Sequence, residues 1–502
     1  MTTTVERAED ATWHRLHPRM LLVHPVVELG RALPALVGIF LAGSANGQNY
    51  WGLIATGVIA VFSLTRWFTT RLRITAHSVQ LRHGLLRRKT ITTSRDRIRT
   101  VDVTANPLHR LLGLARVVIG TGTNDRKGEG RIILDGLTLP VASALRDDLL
   151  HRRVDIDMTA PQADASELAV LDRGWIRYAP FTLSGVLTGL VIWGFYWRVQ
   201  GESGVNLLRT GPLRSISATL RRLPTATEVL VVAGALVVFV AVTSTVGYLL
   251  AFWNFRLVRH DGGTLQVTRG LLTTRATSIE RRRLVGGALA EPLPLRWVGA
   301  ARTTAIATGL RTGRGAERGG EVLLPPAPRD KAAGVLARVL DGSPAVTAVL
   351  RAHGPRARRR RLARALSSST LFGGGAVGAW LLGAPAWLLG VAALALIGAV
   401  PLAADRYRSL GHAVADGYLV AGGGSLVRRR IVLDASAVIG WNLHSSYFQR
   451  RAGLVTLTAT TAAGRQSYAV TDIEGAESLV IADAVTPDLL SAFRTAPTPT
   501  SP

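Results

Sequence analysis

Three pairs of glycines set the frame of this chain: Gly84 and Gly113, Gly270 and Gly299, and Gly424 and Gly453, each pair spaced by 29 residues. An arginine stands three residues before the second glycine each time, at Arg110, Arg296 and Arg450. Each pair also follows a strongly apolar stretch. A period of this kind is the signature of one structural unit used repeatedly, so the chain reads as an internal threefold repeat rather than as one continuous fold.

The residues around the glycines predict the unit. Val79 and Leu81 alternate with Gln80 and Arg82, Leu265 and Val267 with Gln266 and Thr268, and Leu419 and Ala421 with Val420 and Gly422. Period two argues a half-buried strand. The first glycine then suits the positive-φ position of a hairpin turn. A second strand follows with basic residues in or near it: Arg87, Arg88 and Lys89, then Arg275, then Arg428, Arg429 and Arg430. After the Arg-x-x-Gly segment comes a β-branched run. In the first two copies a strand ends at Leu139-Pro140 or Leu324-Pro325, and helical patterns close them at Ala142–Leu150 and Lys331–Leu340. Each copy is thus expected to be an antiparallel sheet with a C-terminal helix, about 80 residues long.

Hydrophobic residues make up 48% of the chain and are concentrated in windows approaching the roughly 20 residues that cross a bilayer core. Six spans can be drawn, in pairs: Val26–Gly43 with Tyr50–Phe68, Tyr178–Trp197 with Glu228–Trp253, and Ser367–Gly383 with Pro385–Ala404. The expected fold is an α+β membrane protein with six transmembrane helices in three hairpins, each followed by a cytoplasmic β module. The layout is an N-terminal segment (1–25), hairpin 1 (26–68), module 1 (69–155), a linker (156–177), hairpin 2 (178–253) and module 2 (254–345). An Arg-rich linker (346–366), hairpin 3 (367–404), module 3 (405–490) and a disordered tail (491–502) complete it.

The formal net charge of +27 fits either nucleic acid or an anionic membrane face, and the apolar spans favour the membrane. Residues 71–153 carry 17 basic and 7 acidic residues, and residues 256–364 carry 22 and 7. The Lys/Arg bias therefore places the modules and both termini in the cytoplasm of a multi-pass inner-membrane protein. The external loop 198–227 resists the rule with five arginines. No cysteine is present, which excludes disulfides and thiolate chemistry. No phosphate-binding loop, zinc-protease or nucleophile-elbow motif appears, so no enzyme, metal or cofactor is expected.

At this point a family likeness emerges. The order strand, glycine hairpin, basic strand, Arg-x-x-Gly, helix behind membrane hairpins resembles the bacterial pleckstrin-homology (PH) domain membrane proteins of the YdbT-like type. Asn106–Val117 is similar to that family's best-marked segment, and Phe448–Leu454 to the form in its last copy. The likeness runs from about Pro25 to Ala484. It implies PH-like β modules on the membrane face, an envelope-stress setting, and a companion single-module PH-like membrane protein as partner. The third copy departs: from Arg406 onward it has nine basic and seven acidic residues, and no Leu-Pro precedes its helix.

Candidate contacts to anionic lipid or a partner are the arginines. Arg87, Arg88 and Lys89, like Arg428, Arg429 and Arg430, sit by a hairpin, where they either meet head groups or guard an edge strand. Arg110, Arg296 and Arg450 either meet an acidic partner or serve the turn itself. Arg358, Arg359, Arg360 and Arg361 precede the fifth span, as a topology anchor and lipid contact. The expected function is membrane-surface binding or scaffolding. The alternative is a transport or secretion accessory using the six-helix part, against which stands the lack of ionisable residues inside the spans. Oligomeric state is left open.

Overall fold

The computed structural model describes residues mostly within 13–28, 68–120, 131–151, 166–182, 224–308 and 322–489, with short breaks such as 84–88. The chain divides into two compact units, Met1–Ser278 and Ile279–Pro502.

In the first unit, β1 (His14–Arg15), β2 (Arg71–Ile74), β3 (Ser78–His83) and β4 (Lys89–Ser94) form a four-stranded antiparallel sheet. There follow β5 (Thr100–Ala105), the one-turn helix α1 (Pro107–Leu111), β6 (Leu114–Gly120), β7 (Arg131–Thr138) and α2 (Leu139–His151). The expected alternation in β3 is realised: Val79 and Leu81 are buried. They join Val101, Val117, Ile132 and Ala142 in one core, so both sheets and α2 close on each other. After β8 (Ser166–Val170) and a 3₁₀ helix at Arg173–Phe181 come α3 (Thr225–Phe252), β9 (Arg256–Arg259), β10 (Thr264–Arg269) and β11 (Thr274–Glu280).

The second unit continues with β12 (Leu284–Pro292), α4 (Leu293–Trp297), β13 (Ala300–Ala307), β14 (Val322–Pro328) and α5 (Arg329–Val339). Two long helices follow, α6 (Gly354–Leu381) and α7 (Trp387–Arg408), packed side by side as a hairpin. Then come β15 (Gly411–Ala415), β16 (Tyr418–Gly423), β17 (Val427–Asp434), β18 (Gly440–His444), α8 (Tyr447–Arg451), β19 (Leu454–Thr460), β20 (Ser467–Glu474) and α9 (Gly475–Val485). Leu419, Leu433, Leu457, Val470, Ile473 and Ile481 form the core between β16–β17, β19–β20 and α9.

The element order therefore recurs in three blocks, but the sheets do not respect block limits. Strand β5 of the first block pairs with β11 of the second, in a sheet ordered β7-β6-β5-β11-β10-β9-β8. Strand β12 of the second block pairs with β17 of the third, in a sheet ordered β14-β13-β12-β17-β16-β15. The glycine frame has a backbone cause. Gly113, Gly299 and Gly453 have φ of 69°, 68° and 67°, and Gly270 and Gly424 have 111° and 102°. Gly84 lies outside the described residues.

The expectation of six transmembrane helices is corrected. Among the described residues two helices are long and apolar enough to cross a membrane: Ala226–Phe252 in α3 and Trp387–Arg408, which is α7. Only 6% and 17% of their apolar windows are buried, unlike the core helix of a soluble domain, a pattern that fits membrane association. The drawn span Ser367–Gly383 is instead the second half of α6, where Gly373, Gly374 and Gly375 and three serines dilute the apolar character. The drawn span from Tyr178 begins inside the 3₁₀ helix, with Tyr178 and Ala179 buried. The spans drawn at 26–43 and 50–68, most of 183–197, the loop up to residue 223 and the tail from residue 490 fall largely or wholly outside the described residues.

A histidine pair ties α6 to the third block. His353, at the N-terminus of α6, lies 3.1 Å from His412 on β15 through Nε2 and Nδ1, with its own Nδ1 2.9 Å from the Thr471 carbonyl. Glu477 stands 3.7 Å from His412, and Arg351 pairs with that same carboxylate. Burial, His353 and Arg351 push the His412 pKa down to about 4, and burial also lowers that of His353. A histidine depressed when folded binds its proton more readily when unfolded. Its stabilisation is complete above the unfolded value and is lost as pH falls toward the folded one. We expect unfolding experiments to show a loss of about 2 kcal/mol between pH 7 and pH 5 from His412. His412→Gln should flatten that slope; an unchanged slope would refute the assignment.

Candidate functional site

The third block and the ends of α6 and α7 line an open cavity of about 680 Å³ whose wall carries six arginines: Arg360, Arg361, Arg364, Arg406, Arg429 and Arg465. Periodicity places the first three on it, since one helical turn separates residues 360 and 361 from 364. Arg406 comes from the end of α7, Arg429 from β17 and Arg465 from the turn before β20.

Asp472, fully buried on β20, is the acidic residue in that wall. It accepts hydrogen bonds from Arg360 and from Gln449 Nε2 at 2.9 Å, and its Oδ2 forms an ion pair with Arg361 Nε at 2.6 Å. Gln449 is fixed in turn by a reciprocal cap with Ser446 at the start of α8. Arg361 also donates to Thr471 Oγ1 at 3.1 Å. One carboxylate thus holds two guanidiniums, while Arg364, Arg406, Arg429 and Arg465 bring further positive charge with no carboxylate of their own in the wall. Burial, then Arg465 and Arg302, lower the pKa of Arg429. Burial lowers that of Arg361 despite Asp472. Each guanidinium stays charged at neutral pH. Such a surface suits a multiply charged oxyanion, because planar forks meet phosphate oxygens in pairs.

A second cavity, about 890 Å³, opens beside the first and shares Arg360 and Arg364 with it. Arg356, Arg359, Arg451 and Phe448 line it, and Ser367 at its edge begins the uncharged half of α6. Among the described residues no group of three or more His, Asp or Glu is placed to hold a metal ion.

The arginines singled out in the sequence take several different places. Arg360, Arg361 and Arg429 line the first cavity, Arg359 the second, and Arg358 is exposed on α6 outside both. Arg430 donates to the carbonyls of Val346 and Ala348 at 2.6 and 2.7 Å, an internal role. Arg428 and Arg296 meet on Asp405, at 2.7 and 3.1 Å. Arg110 donates to the Leu271 carbonyl at 2.5 Å, and Arg296 also to that of Ser425 at 3.4 Å. Arg450 is exposed. Arg87 and Arg88 lie outside the described residues, as does the side chain of Lys89. Sequence reasoning missed Arg406, Arg465 and Asp472, which lie far apart in the chain. Arg406, directly after an apolar span, carried the signal that could have found it.

Two segments of the chain match a model of the bacterial PH domain. They are residues 27–153 and 372–484, which cover the first block and the third with much of the helix hairpin before it. The cavity's strands and Arg406 fall inside the second segment. The match supports a bacterial PH-domain kinship for these two segments. No curated protein and no solved structure matches the chain.

Proposed function

We propose that the protein is a non-catalytic membrane-surface binding and scaffolding protein whose arginine-lined cavity takes the phosphate of an acidic lipid headgroup. The observation that carries this reading is the excess of guanidinium over carboxylate around about 680 Å³ of space, at the polar ends of α6 and α7. Arg406 and Arg408 end the apolar run of α7, a helix long and apolar enough to cross a membrane, and this supports a cavity at the level where headgroups meet that helix. An anionic leaflet adds about 1 kcal/mol for each nearby basic side chain. In this reading three PH-like modules of the YdbT-like type stand at the cytoplasmic face of the plasma membrane, the side favoured by the Lys/Arg bias. The likeness brings with it an envelope-stress setting.

The test uses the full chain in neutral detergent, offered phosphatidylglycerol or phosphatidylcholine and read by native mass spectrometry. Wild type should retain phosphatidylglycerol at least several-fold better, and R429Q/R465Q should lose most of that preference. Equal retention of both lipids by wild type would end the lipid reading. An unchanged preference in the double variant would remove the cavity from it. Soluble glycerol phosphate, added as competitor, separates recognition of the headgroup from recognition of a bilayer.

A further inference from the structure

The two junctions between blocks share one register. Thr274 is four residues after Gly270 and pairs with Ala105, eight before Gly113. Val427 is three after Gly424 and pairs with Pro292, seven before Gly299. In both, the residue n places after the first glycine of one block meets the residue n + 4 places before the second glycine of the preceding block. Both junctions also use the same clamp. Arg110 and Arg296 donate to the carbonyls of Leu271 and Ser425, the residues directly after Gly270 and Gly424.

The series leaves one half-junction at each end. Strand β18, the counterpart of β5 and β12, pairs among the described strands with β19 alone. Strand β4, the counterpart of β11 and β17, pairs among the described strands with β3 alone. The side chains at the β18 end are correspondingly bare. Leu443 is 46% exposed, whereas Val103 and Leu289, which hold its position in the earlier blocks, are 9% and 4% exposed. Tyr447 and Phe448 beside it are exposed, and so is Arg450, the third member of the clamp series. Edge strands left open in this way are normally shielded or paired.

We propose that β18 of one molecule pairs with β4 of a second copy of this chain, head to tail, in the register of the two internal junctions. The rule places Thr90 opposite Leu443, Ile91 opposite Asn442 and Thr92 opposite Trp441. The joined sheet would run β1-β2-β3-β4-β18-β19-β20. This reproduces strand for strand the sheet β8-β9-β10-β11-β5-β6-β7 that the first unit already contains. The pairing is heterologous, so its repetition builds closed rings or open multiples.

The absence of native cysteine makes the test clean. T90C and L443C full chains carrying different tags are purified in neutral detergent, mixed and oxidised. A disulfide-linked species with both tags is expected, at several-fold higher yield than for T90C mixed with N442C, whose side chain faces the other side of the sheet. The T90C/L443C chain should give a ladder of multiples. Arg450→Ala, a change at an exposed site, should lower the yield at least several-fold in an otherwise intact protein. Three outcomes overturn the proposal: in-register and shifted pairs linking equally, L443C linking to itself as well as to T90C, and the doubly substituted chain linking only within itself. A wild-type protein of single-chain mass at every concentration would do the same.

Discussion

Replacing Asp472 with alanine should cost the second unit about 3–5 kcal/mol, because it leaves the buried Arg361 and the partly buried Arg360 without their counter-charge. Asp472 is fully buried, and its carboxylate is shared by Arg360, Arg361 and Gln449. Removing it also frees the Gln449 amide. Asp472 has φ of 60°, a conformation asparagine tolerates, so Asp472→Asn should cost less by keeping the backbone and part of the hydrogen bonding. Trp441, whose indole N–H donates to Thr486 at 2.7 Å in the same block, offers a local fluorescence signal. Denaturant curves followed at that signal should order the proteins wild type, D472N, D472A. A D472A midpoint equal to wild type would show that the pair of arginines is neutralised in another way.

The second large effect concerns Gly424. A Cβ there would lie 2.0 Å from the Val427 carbonyl oxygen, and φ of 102° lies beyond the left-handed well that other residues visit. Strain of about 1–3 kcal/mol from the dihedral alone, plus the clash with rigid backbone, should make Gly424→Ala one of the most damaging small changes in the chain. Gly270 repeats the geometry, with Thr273 O at 2.0 Å, and should behave alike. Gly299 has φ of 68° and no atom within 4 Å of its would-be Cβ, so Gly299→Asn should cost well under 1 kcal/mol. Thermal unfolding of G424A, G270A and G299N should separate the first two from the third by many degrees. Equal losses would refute the distinction between the two glycine classes.

That distinction explains why the repeat was legible. A backbone position that admits glycine alone is a local demand, and it prints itself on the sequence at each use. The alternation of Val79 and Leu81 is equally local. The pairing of β5 with β11 is not, because it depends on which edge each strand leaves open after its own block has closed. The arginine cavity was half legible. Arg360 and Arg361 stand out beside an apolar stretch, but Arg406, Arg465 and Asp472 join them only through tertiary packing. The runs at Arg428–Arg430 look alike in sequence and do three different things: Arg428 binds Asp405, Arg429 faces the cavity, and Arg430 holds two carbonyls. The span drawn over Ser367–Gly383 was over-read for a compositional reason, since glycine and serine in α6 mimic a membrane helix by lacking charge rather than by being apolar.

The sharing of sheets across block limits bears on how the protein can be taken apart. The stretch 156–177 looks like a natural place to cut, yet β5 on its amino-terminal side completes a sheet with strands on its carboxyl-terminal side. A fragment ending there would carry β5 without its partner strand β11 and Arg110 without its acceptor Leu271, and would present a bare strand edge to its neighbours in solution. Fragments are better sought by keeping whole junctions together, so that each shared sheet keeps both of the strands that meet at its seam.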